Sequence, residues 1–319
     1  MEKPRILEMI EKIKSYTDNS SSAKILHPFS IIGPSGKSNA LRIYSYGGVA
    51  GEIGLGKAAG CTLCNRNYFI NFGELLNDDE RKLTSEWIKN SRKKDKEITG
   101  NWVEEVLDSE EYLNIVLKTI KQKFHKENDT EKERNIQMEI LSGGNKRISN
   151  WEIVDVETGI TKEWIENSSM IDTVKKPDFV VYDKSRHQFG IIELKFDNEN
   201  TNNLEEHYSM FDAVYHDPDV FIAKICERAK IMSEYGLLDF DPNDVQRNVW
   251  FGFLFIGKGK DGKGIEGARQ CINTYLLENI SINEIEEDCR FLYADTVKQF
   301  ERIGLCYENM QDIRAFMNR

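Results

Sequence analysis

The stretch KPDFVVYDKSRHQFGIIELKF, residues 176–196, decides the fold of the chain around it. It contains two short apolar runs, Phe179–Tyr182 and Gly190–Leu194, with the polar segment Asp183–Gln188 between them. Apolar runs of this length, separated by a polar turn, predict two buried strands that pair as a hairpin. The rest of the chain is interpreted outward from this hairpin.

Three charged residues lie near the open end of the predicted hairpin. Asp178 precedes the first run, and Glu193 and Lys195 lie near the end of the second. Alternate side chains of a strand share a face, so Glu193 and Lys195 emerge together and Leu194 points away. Hairpin pairing would also bring Asp178 beside Glu193. Neighbouring carboxylates repel and raise each other's pKa unless a cation lies between them, so this grouping favours a metal site. The alternative is a surface ion pair of Glu193 with Lys195.

Length, composition and net charge restrict the class of protein to which the chain can belong. The chain has 319 residues, 39% of them hydrophobic and 30% charged, with a formal net charge of −11. This length predicts one large domain or two modest ones with a sizeable core. No apolar run approaches a membrane span and the N-terminus lacks the apolar core of a signal peptide, so we expect a cytoplasmic protein with no membrane partner. The acidic balance argues against a broad DNA-coating surface, although carboxylates at a metal site are compatible with a nuclease.

Hydrophobic periodicity predicts the other elements. Helices are predicted over residues 1–14, Asp78–Arg92, Ser109–Phe124, Thr130–Leu141, Leu204–Tyr215, Asp219–Tyr235 and Ala268–Glu278, with a terminal helix at the end of the chain. Strands are predicted at Ile25–Leu26, Phe29–Ile32, Leu41–Tyr46, Tyr68–Phe72, Val249–Ile256 and Phe291–Ala294, and between Trp151 and Lys195. We divide the chain into an N-terminal recognition or accessory region, residues 1–125, and a main domain, residues 126–319.

Two further motifs are weaker. The segment Gly33–Ser38, GPSGKS, is two residues short of a phosphate-binding loop, and the pattern after it predicts a strand rather than the helix such a loop requires. Nucleotide binding there is a minor alternative. Cys61 and Cys64 have zinc-ligand spacing, but the sequence contains no second pair of that kind, which favours reduced thiols.

Residues 176–178, Lys-Pro-Asp, followed by residues 191–195, Ile-Ile-Glu-Leu-Lys, resemble the signature of the PD-(D/E)XK nuclease superfamily. The resemblance implies a restriction-endonuclease-like fold. That fold is an α/β (α+β) core with a mixed central sheet flanked by helices, here with a smaller N-terminal α+β region. The order of predicted elements over roughly residues 130–260 fits it: an acidic helix, a three-stranded meander, a crossover helix and a further strand.

The resemblance also implies a function. It is Mg²⁺-dependent hydrolysis of phosphodiester bonds in nucleic acid, DNA more than RNA, with Mn²⁺ able to substitute, in a setting such as restriction or defence. Asp178 and Glu193 would be metal ligands together with the Leu194 backbone carbonyl, and Lys195 would serve the attacking water. The alternative is a catalytically silent nucleic-acid or protein binding module on the same fold. A homodimer or a protein partner is compatible with either interpretation.

The family's acidic helix suggests two more site residues. Glu133 is the candidate for a further catalytic carboxylate, with Glu139 as a weaker choice. Gln137 shares a helix face with Glu133 and is a candidate for substrate contact. The opposing interpretation is that Glu133 forms a capping box with Thr130 and only stabilises its own helix.

Three basic or titratable residues complete the predicted site. His207 follows the polar loop after the hairpin, where members of the similar family place a polar side chain near the cleft, and it is a candidate for phosphate contact or water orientation. Lys258 and Lys260 lie in a glycine-rich loop and are candidates for contact with a phosphate backbone. A solvated helix or turn explains the same three residues without a substrate.

Overall fold

The structure is a computed structural model that describes part of the chain. The described residues are 3–15, 29–34, 40–45, 48–55, 61–63, 76–93, 110–125, 131–142, 147–148, 151–160, 162–164, 176–196, 210–211, 213–257, 289–294 and 306–309. The chain forms two compact units, Met1–Lys146 and Arg147–Arg319. The sequence predicts a boundary between residues 125 and 126, whereas the two units meet between residues 146 and 147. The predicted acidic helix, Glu131–Ser142 in the structure, is therefore part of the first unit.

The first unit combines one antiparallel sheet with helices. Its strands are β1 (Ser30–Ile32), β2 (Ala40–Ser45), β3 (Gly48–Gly54) and β4 (Cys61–Leu63), and its helices are α1 (Lys3–Ser15), α2 (Asp78–Lys93), α3 (Glu110–His125) and α4 (Glu131–Ser142). Neighbouring strands pair in chain order, β1-β2-β3-β4. The predicted helices are confirmed, and α1 buries Ile6, Met9, Ile10 and Ile13 along one face.

Side chains at the start of α2 form a reciprocal capping box. Asn77 Oδ1 accepts the Glu80 N–H at 2.8 Å, and Glu80 Oε2 accepts the Asn77 N–H at 2.8 Å. Lys118 of α3 donates to the same Glu80 oxygen at 2.8 Å. Burial acts to raise the pKa of Glu80, but the hydrogen bonds from Lys118 and Asn77 outweigh it, so the pKa is lowered. The capping box therefore also ties α2 to α3.

The second unit is built on a mixed sheet. Its strands are β5 (Arg147–Ile148), β6 (Trp151–Val156), β7 (Phe179–Asp183), β8 (Gln188–Phe196), β9 (Val249–Ile256), β10 (Cys289–Ala294) and β11 (Cys306–Asn309), and its long helix is α5 (Pro218–Glu234). The order in the sheet is β11-β10-β9-β8-β7-β6-β5. Strands β8, β9 and β10 run parallel and the other neighbours antiparallel, as the prediction of a mixed sheet requires.

The hairpin of β7 and β8 is the predicted one. Its turn, residues 184–187, is closed by Asp183, whose Oδ1 accepts hydrogen bonds from the Ser185 N–H and hydroxyl at 3.0 and 2.6 Å. Asp183 Oδ2 accepts the Trp151 Nε1–H at 3.0 Å, which joins the turn to β6. The buried carboxylate thus fixes the register that the apolar runs favour.

Parallel strands need a crossover, and α5 lies between β8 and β9 in the chain. Residues 210–211 and 213–216 before it are also helical. On its buried face, Arg228 forms an ion pair with Asp155 of β6 and lies 4.9 Å from the Trp164 ring centroid. This contact anchors α5 against the sheet.

Strand β9 has the predicted bounds, and all eight of its residues are buried, as expected for a central strand with neighbours on both sides. The terminal helix expected after Phe291–Ala294 stays a prediction, and a further strand, Cys306–Asn309, follows in the chain. These four residues pair antiparallel with β10 as an edge strand.

Candidate metal site

The mouth of the β7–β8 hairpin brings two carboxylates together. Phe179 is paired with Ile192, so one further step of the register sets Asp178 opposite Glu193. Directly opposed residues share a face of the sheet. One carboxylate oxygen of Asp178 lies within 4.8 Å of one of Glu193, which confirms the predicted proximity.

Asp178 is held through both its side chain and its main chain. Its Oδ2 accepts the Leu194 N–H at 2.7 Å, and its carbonyl accepts the Glu157 N–H at 3.2 Å. The first contact ties the carboxylate to β8, and the second ties the backbone to the end of β6. Two anchors from opposite sides fix the position of this half-buried side chain.

Pro177 explains why the ladder between β7 and β8 ends here. Continued register sets it opposite Leu194, but proline has no N–H to donate to the Leu194 carbonyl. The N–H and C=O of one strand residue point to the same side, and the Leu194 N–H points to Asp178. The Leu194 carbonyl is therefore on the β7 side of β8, and its role as a metal ligand stays a prediction.

Lys195 lies on the same strand face as Glu193, and its Nζ is 2.6 Å from Glu193 Oε1. The side chains are only 11% and 4% exposed, respectively. The alternative of a surface ion pair is therefore wrong, because both charges are largely removed from water. Burying two charges carries a large desolvation cost, which their ion pair at 2.6 Å offsets.

The donor set fits a hard divalent cation. It offers carboxylate oxygens from Asp178 and Glu193, with no sulfur or imidazole between them. Oxygen ligands of this kind suit Mg²⁺ and Mn²⁺. The Lys195 ammonium, already placed at Glu193, shows that this carboxylate accepts a positive charge.

The other predicted site residues have different positions. Glu133 is half-buried on α4 of the first unit, and its role as a ligand stays a prediction. Gln137 on the same helix is buried, and its Oε1 accepts the Tyr44 hydroxyl at 2.8 Å, so it has a packing role within that unit. Substrate contact by Gln137 stays a prediction. His207, Lys258 and Lys260 lie outside the described residues.

The structure disfavours nucleotide binding by the segment Gly33–Ser38. Residues 40–45 after the segment Gly33–Ser38 form β2, and the Gly33 carbonyl accepts the Arg42 Nε–H at 2.7 Å. A strand here confirms the prediction and provides no helix N-terminus to hold a phosphate.

Two residues at the site carry roles that the sequence analysis did not assign. Pro177 was noted only as part of the motif, yet it ends the ladder. Glu157 had no pattern of its own, because a single glutamate after the apolar run of β6 is an ordinary strand end. The sequence Glu-Thr-Gly at residues 157–159 is its one signal, since glycine and threonine often follow a strand in a turn.

No protein-family model, curated protein or solved structure matches the chain. Among the described residues, no helix combines the length and the apolar character that a bilayer crossing requires.

Proposed function

We propose that the chain is a Mg²⁺-dependent nuclease that hydrolyses phosphodiester bonds in DNA, with Mn²⁺ able to replace Mg²⁺. The observation that carries the proposal is the pairing of Asp178 with Glu193 across β7 and β8, with Lys195 buried beside them. The order of β6, β7, β8, α5 and β9 supports a restriction-endonuclease-like core.

Each residue of the site has a defined task under this proposal. Asp178, Glu193 and the Leu194 carbonyl hold the cation. When bound, Mg²⁺ supplies charge stabilisation at the scissile phosphate and a lower pKa of water. Lys195 orients the attacking water at Nζ, which the pairing with Glu193 already keeps at the site. Glu133 stays the predicted candidate for a further catalytic carboxylate.

Burial contributes to this chemistry. Glu193 and Lys195 are nearly removed from solvent, so the attraction of Glu193 for a cation and of Lys195 for a phosphate would be stronger than at an exposed position. Asp178 is half-buried and lies at the opening of the hairpin. The substrate phosphate would therefore approach from the Asp178 side.

A homodimer or a protein partner that delivers DNA to this acidic chain is part of the same proposal, as is a setting in restriction or defence.

The test is DNA cleavage by purified protein. Plasmid and single-stranded DNA are incubated with Mg²⁺, with Mn²⁺ and with a chelator. We expect cutting with either metal, none with chelator, and at least a hundredfold loss in Glu193→Ala and Lys195→Ala. Lys184→Ala is the matched control, since this hairpin lysine is 57% exposed at the turn.

Equal cutting by the site variants and the wild type would refute the site. DNA binding without cutting, unaffected by metal, would instead favour the silent binding module. An RNA substrate cut faster than DNA would reverse the choice of nucleic acid.

A further inference from the structure

Glu157 has an unusual backbone conformation at the end of β6. Its φ is 47°, in the left-handed region that residues with a Cβ rarely adopt. The other described non-glycine residue with positive φ is His187, which lies in the tight turn of the hairpin where such angles are common. Glu157 lies at the bend that follows β6. Non-glycine residues held in the left-handed region cluster at functional sites.

The left-handed residue is one hydrogen bond away from the metal site. Val156 pairs with Phe179, and one further step sets Glu157 opposite Asp178. The Glu157 N–H donates to the Asp178 carbonyl at 3.2 Å, one step beyond the last pair of β6 with β7. Glu157, Asp178 and Glu193 thus occupy one row across β6, β7 and β8.

Glu157 thus combines the left-handed φ with a hydrogen bond to the main chain of Asp178. A residue that resists positive φ would shift this N–H and, with it, the backbone that carries the Asp178 carboxylate.

We propose that Glu157 is a positioning residue for the metal site, acting through its left-handed backbone and not through its carboxylate. The inference rests on the proposed function, because it assigns Glu157 to the placement of a metal ligand. It predicts that metal affinity follows the ease with which residue 157 adopts positive φ. Removal of the charge alone leaves affinity unchanged.

The experiment is a series of variants at this position, measured by Mn²⁺ titration calorimetry in the absence of DNA. Glu157→Gly and Glu157→Asn tolerate positive φ and are expected to match the wild type. Glu157→Gln has the backbone preference of glutamate without its charge and is expected to stay within about threefold of wild type. Glu157→Ala and then Glu157→Val are expected to weaken binding progressively, with Val on the order of tenfold weaker.

Circular dichroism establishes that each variant is folded. If Glu157→Val does not fold, the comparison of Glu157→Gln with Glu157→Ala still decides the test. A second readout is the cleavage reaction: loss of positioning lowers kcat in Glu157→Ala with the KM for DNA unchanged. Weak Mn²⁺ binding by Glu157→Gln or Glu157→Gly would overturn the inference, because the carboxylate would then be the active group. Equal affinity of all variants would overturn it as well.

The two proposals fail in different ways. A wild-type chain that binds no Mn²⁺ removes the proposed function and this inference together. A wild-type chain that binds Mn²⁺, with variants that do not follow the expected order, removes only the role of Glu157.

Discussion

Substitution of Gly190 by alanine tests the packing beneath the site. A Cβ at Gly190 would lie 2.1 Å from Cε2 and 2.3 Å from Cζ2 of Trp250, distances at which an atom must move. Neither partner has an easy escape, because Gly190 is in the middle of β8 and Trp250 is fully buried on β9. The Trp250 ring is further confined by Trp151, 4.6 Å away between centroids.

The expected cost lies near the upper end of the range for overpacked cores, about 3 kcal/mol of unfolding free energy. For a unit of this size that corresponds to a decrease of roughly 6–12 °C in Tm. Urea unfolding followed by tryptophan fluorescence measures the free energy, and calorimetry measures Tm. Gly252→Ala is the comparison, since its Cβ would meet Trp250 at 3.1 Å and Leu292 at 3.3 Å, which require smaller movements, so it should cost less than Gly190→Ala.

A double-mutant cycle identifies the cause of the loss. Leucine at position 250 has none of the three indole atoms that this Cβ would meet, so Gly190→Ala should cost about 2 kcal/mol less in a Trp250→Leu background than in the wild type. Equal costs in the two backgrounds, or a Gly190→Ala variant as stable as the wild type, would refute the register of β8 against β9.

Two further predictions concern charged groups away from the site. The pKa of Glu80 is lowered in the folded protein, so the stability that its charge contributes is complete above roughly pH 4.3 and disappears as the pH falls through the lowered pKa. Urea unfolding measures the difference in unfolding free energy between the wild type and Glu80→Gln. This difference should shrink as the pH falls below about 4.3 and stay constant above it. A constant difference down to pH 2 would contradict this linkage. Arg228→Met should cost about 3–5 kcal/mol because Asp155 is left as an uncompensated buried charge, and the double variant with Asp155→Asn should regain part of that loss. If the double variant is no more stable than Arg228→Met, the ion pair is not the cause.

The parts of the fold that could be predicted are those where pattern and burial agree. Strand β9 is eight apolar residues buried on both sides, so its bounds follow from the sequence alone. The hairpin of β7 and β8 is equally predictable from the sequence, because a polar turn separates two apolar runs. Helices α2 and α3 match because their apolar residues recur at helical spacing.

The missed elements depend on neighbours rather than on their own sequence. Strand β3 reads GVAGEIG, and its glycines suggest a loop, yet pairing with both β2 and β4 makes it a strand. Strand β11 is four residues at the edge of the sheet, where β10 supplies the partner. Short segments of this kind have too little pattern to be told from a helix or a turn.

The candidate site was predictable in its residues but not in its environment. The register that unites Asp178 with Glu193 follows from the hairpin, and strand periodicity places Lys195 beside Glu193. The near-complete burial of Glu193 and Lys195 does not follow, because burial depends on what the rest of the unit packs over the strand end. The contact between Glu157 and Asp178 also joins residues that are distant in sequence.

The central claim is that Asp178 and Glu193 form a divalent-metal site. The most direct measurement is a crystal structure of the protein with Mn²⁺, located by its anomalous scattering. The account predicts one ion within about 2.0–2.6 Å of oxygens from both carboxylates, with the Leu194 carbonyl beside it. Saturating Mn²⁺ with no anomalous peak at the hairpin mouth, and Lys195 Nζ still paired with Glu193 Oε1, would contradict it.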